Sequence, residues 1–92
     1  MRPLHPADGV IERFACELRA LRAAAGEQPL WKMARRCELS KSSPADAVAG
    51  YRLPSERVTK AFVSVCGGDW PWWSDRLAQA RAELEAANQA QR

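Results

Sequence analysis

The sequence predicts an all-α fold: a compact five-helix bundle with a central helix-turn-helix and a long C-terminal helix. Three observations predict it. Alanine supplies 17 of the 92 residues, and Ala, Leu, Arg and Glu together far outweigh the β-branched residues, a balance that favours helices over strands. Apolar residues recur at spacings of three and four through most of the chain. Glycine and proline fall between these periodic segments rather than within alternating ones.

The first segment follows an arm over residues 1–9. Val10, Phe14, Leu18, Leu21 and Ala25 step by four, four, three and four, and Ile11 and Ala15 widen the stripe. Glu12, Arg13, Glu17, Arg19 and Arg22 fill the opposite face, so the segment reads as an amphipathic helix ended by Gly26. A shorter helix is expected from about Pro29 to Arg36, with proline in a first turn that has no use for its missing N–H. Leu30, Met33, Ala34 and Cys37 form its apolar edge.

Glu38-Leu39 reads as a connection, and Ser40 as the N-cap of a third helix near residues 41–49 that Gly50 closes. Tyr51 to Pro54 is a short loop, and Ser55 caps a fourth helix whose Val58, Phe62, Val63 and Val65 or Cys66 turn inward. Gly67-Gly68 stops it. Asp69 opens the last helix, with Pro71 in its first turn and Trp70, Trp73, Leu77, Ala80, Leu84 and Ala87 along one stripe. The predicted organisation is an arm (1–9), a helix-turn-helix core (10–69), and a C-terminal helix (70–92) that packs on the core or extends to a partner.

Charge is unevenly placed. The net charge is +3, yet Lys32, Arg35, Arg36, Lys41, Arg52, Arg57 and Lys60 face only Glu38, Asp46 and Glu56 in the stretch from 32 to 60. A basic middle third suits a polyanion-facing surface. Cys16, Cys37 and Cys66 are odd in number and far apart, which points to reduced thiols and a cytoplasmic setting. No apolar run approaches the ~18 residues that would cross a bilayer. Cys16, Cys37, Cys66 and His5 match the ligand count of a zinc site, but no pair has the short spacing such sites use, so no metal is expected. One histidine and no catalytic motif argue against an enzyme, and no cofactor is expected.

Two short helices joined by a tight turn can cross steeply enough for the second to enter a major groove. Ala34 is the small residue for the contact, Leu39 plugs the turn, and Ala47 with Val48 anchors the third helix. The runs FACELRALRAAAG, MARRCELSKS, AVAGYRLPS and AFVSVCGGD-W together resemble the Cro/XRE-type (phage-repressor-like) helix-turn-helix domain over residues 14–75, in the regulator version common in high-GC bacteria. Two positions depart from that pattern. Glu38 stands where the family has a turn glycine, and Pro44 where it has a core Leu or Ile.

The resemblance implies sequence-specific binding to double-stranded DNA, transcriptional regulation, and a homodimer on two half-sites. Lys41, Ser42 and Asp46 are the candidates to contact base edges and Arg35, Arg36, Arg52 and Lys60 to hold phosphates, with Ser40, Ser43 and Tyr51 completing the candidate DNA-binding set. Trp31, Trp70, Trp72 and Trp73 are candidates for a partner interface, where tryptophan is enriched. Trp70, Trp72 and Trp73 cannot all face inward from one turn, so at least one is expected to cap the core. The rival reading is a protein–protein interaction module on the same scaffold, favoured by Pro44, Glu38 and the tryptophans.

Overall fold

The structure, a computed structural model, describes residues 3–37 and 42–90. Five α-helices occur among these residues, and no strand does. They are α1 (Val10–Ala24), α2 (Leu30–Arg36), α3 (Ser42–Ala49), α4 (Glu56–Val65) and α5 (Trp70–Ala90). The fold is the all-α five-helix bundle that the periodicity predicts. Pro6–Asp8, expected as part of an open arm, instead form one 3-10 turn against the start of α1.

Each helix is bounded by local chemistry. Two helices end in the same way. Beyond α1, the Glu27 N–H bonds the Arg22 carbonyl at 2.8 Å and the Gly26 N–H bonds Ala23 at 3.1 Å, with Gly26 at φ +96°. Beyond α4, Gly68 N–H bonds Val63 at 2.9 Å and Gly67 N–H bonds Ser64 at 3.2 Å, with Gly67 at φ +71°. Both are Schellman closures, in which a left-handed residue lets the chain turn back on the last carbonyls. The start of α4 is capped as predicted, the Val58 N–H donating to the Ser55 hydroxyl at 3.2 Å. Pro29, expected inside the first turn of α2, is instead its N-cap.

The core is assembled from one face of every helix: Phe14 and Leu18, Met33, Ala47 and Val48, Phe62 and Val63, then Trp73, Leu77 and Ala80. These residues keep the three- and four-residue spacing that placed them inward. Along α5 the expected stripe runs out. Leu84 is half-buried and Ala87 exposed, because a helix of 21 residues spans roughly 30 Å and outruns the bundle. The α1–α5 contact is edged by ion pairs, Arg13 with Glu83 and Arg76 with Glu17.

Pro44 is fully buried. With α3 spanning Ser42–Ala49, it lies in the first turn, where no backbone N–H bonds within the helix and a proline therefore breaks nothing. Its ring joins the buried set, and the helix accommodates it.

Candidate nucleic-acid interface

In α2, Met33 and Ala34 are buried. With those two fixed inward, helical geometry turns Trp31, Lys32, Arg35 and Arg36 outward, and all four are exposed. They line a shared groove of about 300 Å³. Trp31 is 58% exposed. Arg36 Nη1 donates to the Gln28 side-chain oxygen at 3.1 Å, and the Gln28 carbonyl accepts from Arg22 Nε at 2.8 Å. The chain entering α2 is therefore held by two guanidinium groups.

On α3, Pro44, Ala47 and Val48 are buried, Ser43 and Ala45 half-buried, and Asp46 exposed. The Asp46 carboxylate lies 3.9 Å from the Arg52 guanidinium, both side chains largely in solvent. The pair borders a cleft of about 350 Å³ between α3, the following loop, α4 and Arg81 of α5. At such exposure an ion pair contributes about 0–1 kcal/mol, enough to orient Arg52 and little else. Tyr51 is 73% exposed on the loop, and Lys60 is exposed on α4.

The candidates thus fall into two sets. Arg35 and Arg36 share a groove with Trp31, while Asp46 and Arg52 meet across the α3 cleft. Ser40 and Lys41, together with the Glu38-Leu39 connection, lie outside the described residues. Ser42 opens α3. Lys32, three and four residues from Arg35 and Arg36, joins them on the same face although it is not among the expected DNA contacts.

The tryptophans separate. Trp73 is 6% exposed and packs edge-on against Phe14, ring centres 5.8 Å apart. It is a core residue, which corrects its placement at a partner interface, because Gly68 leaves the space its indole occupies. Trp70 is half-buried against the core. Trp72 is 52% exposed but packs edge-on against Trp73 at 5.2 Å, with the Arg76 guanidinium 5.7 Å above its ring.

The surroundings of Cys37 and Cys66 favour the neutral thiol. Burial pushes Cys37 above the ordinary thiol value, against a smaller downward pull from Arg36. Burial likewise raises Cys66, opposed by Arg22 and reinforced by Cys37. The Cys37 thiol also donates to the Ala61 carbonyl at 3.4 Å, a bond that only the protonated form makes. Neither thiol is poised as a nucleophile. Among the described residues no group of three or more His, Cys, Asp or Glu side chains is placed to hold a metal ion, and no helix is long and apolar enough to cross a membrane.

No family model, curated protein or solved structure matches the chain.

Proposed function

We propose that this chain is a sequence-specific DNA-binding domain that regulates transcription, working in the cytoplasm as a homodimer on paired half-sites. What carries the reading is a short helix pair, α2 and α3, packed on one core, with exposed cations on α2 and α4 that meet no carboxylate among the described residues. Lys32, Arg35 and Lys60 have no ion-pair partner among the described residues, and Arg36 meets only the neutral Gln28. Cations unpaired within the fold are available to phosphate, and each phosphate met releases counterions.

In this reading α3 enters the major groove, with Lys41, Ser42 and Asp46 toward base edges and Ser40 and Ser43 at its margin. Asp46 is repelled by phosphate, so its partner is an amino group such as cytosine N4. Arg35, Arg36, Tyr51, Arg52 and Lys60 take the backbone.

A salt titration tests it. Affinity for duplex is expected to fall steeply from low salt to about 0.15 M, and an Arg35→Ala/Arg36→Ala double variant to lose binding while keeping its helical circular dichroism. Failure of the wild-type chain to bind duplex at low salt sinks the proposal. It would favour the rival reading, an interaction module on this scaffold, for which the exposed Trp31 and Trp72 speak.

A further inference from the structure

Among the described residues three large apolar side chains are exposed: Trp31, Tyr51 and Trp72. Trp72 is already engaged by Trp73 and Arg76, and Tyr51 has a partner of its own. Trp31 makes no ring contact among the described residues, and its groove is walled by Lys32, Arg35 and Arg36 with no carboxylate among them. An exposed indole beside three cations offers apolar contact and positive charge in one place, which suits an occupant that is anionic and partly apolar.

We infer that this groove on α2 seats the sugar-phosphate backbone of the duplex, with the Trp31 indole lying on a deoxyribose and Lys32, Arg35 and Arg36 on the phosphates beside it. The inference rests on the duplex-binding reading and adds to it a contact that carries no base information. The backbone joins a charge to an apolar sugar at every step, and the groove sets one apolar plate beside its cations. From Lys32 to Arg36 the helix rises about 6 Å, a separation that lets the cations reach neighbouring phosphates of one strand. A lone aromatic ring is a poor platform for unstacked bases, which single-strand binders meet with successive rings. Duplex is therefore the occupant that the geometry favours.

The experiment is fluorescence anisotropy with a labelled random-sequence duplex across a salt series. Three further probes are the corresponding single strand, poly-L-glutamate, and circular dichroism to check the fold. Trp31→Ala is expected to weaken duplex binding roughly tenfold without changing the slope of log affinity against log salt, because an indole displaces no counterion. Trp31→Phe should recover most of the loss. Lys32→Ala and Arg35→Ala should each lower the slope by about 0.9.

If wild type binds duplex and Trp31→Ala binds equally well, the inference falls while the duplex reading stands. If wild type binds no duplex, both fall. Tighter binding of the single strand, or of poly-L-glutamate, that is lost in Trp31→Ala would overturn the backbone assignment in favour of a base-stacking site or an acidic protein partner.

Discussion

Arg19 Nε donates to the Val48 carbonyl at 2.8 Å, tying the middle of α1 to the last turn of α3. Carbonyls at a helix C-terminus lack intrahelical donors and carry the negative end of the helix dipole, so a guanidinium there satisfies both needs. This bond helps hold α3 against α1, beside the packing of Ala47 and Val48 in the core.

Arg19→Ala is therefore expected to cost about 1.5–3 kcal/mol, the range for a hydrogen bond with a charged donor. Urea unfolding should show it as a lower midpoint with an unchanged slope. Hydrogen exchange should show faster opening of α3 than of α4, since α4 keeps its Ser55 cap and Schellman closure.

Gly68 is required for space rather than for backbone freedom. A Cβ there would stand 2.9 Å from Val63 Cγ1 and 3.2 Å from Trp73 Nε1. Gly68→Ala should destabilise by about 1–3 kcal/mol, the usual cost of overpacking a filled core. Gly26→Ala meets no atom within 4 Å and is strained only by its φ of +96°, at about 1–2 kcal/mol. Thermal melts of the two variants distinguish crowding from strain, because Val63→Ala should partly rescue Gly68→Ala and leave Gly26→Ala unimproved.

The thiols predict a loss of stability on the alkaline side. Burial raises Cys37 and Cys66 above the ordinary value of 9.0, so the folded state holds its protons where the unfolded state releases them. The contribution is fully present below the unfolded thiol range and lost as pH rises through it and then through the folded values. Melting temperature should decline more steeply above pH ~9 in wild type than in Cys37→Ala/Cys66→Ala. Alkylation of these two cysteines by iodoacetamide should be slow at neutral pH and accelerate only in that same alkaline window.

The Glu17–Arg76 pair fastens α5 to α1, and Arg76 also covers Trp72. Its side chains are only partly exposed, so it should contribute toward the upper end of the ~0.2–1 kcal/mol seen for such pairs. Glu17→Gln should lower the melting temperature modestly, and added salt should erase most of the difference. The Trp72 emission should also shift to the red as Arg76 is released and water reaches the ring.

Much of the fold was legible in order. The stripes of α1 and α4, the Ser55 cap and the glycine stops all appeared where local pattern placed them. Each depends on residues within one or two turns of one another. Which α2 residues line a groove was partly legible, since burying Met33 and Ala34 leaves Lys32 and Arg35 no other direction. Pro44 was half-legible. Its chemistry raised the question of whether a helix could form there, and only the bounds of α3 answered it.

By itself, then, the sequence determined the inventory: five helices, the apolar faces of most of them, the Ser55 cap and the glycine stops, and a basic middle third. Those features follow from periodicity, backbone hydrogen bonding and charge counting, which act over short separations along the chain. The tertiary structure decided how the edges of those faces were used. Trp73 rather than Trp72 entered the core because Gly68 and Phe14 left room on that side. Arg19 left the expected polar face of α1 for the end of α3. Trp31 stayed bare because no element crosses the outer face of α2 among the described residues. Crossing angles set by packing against distant elements made these choices, and no spacing within a single helix contains them.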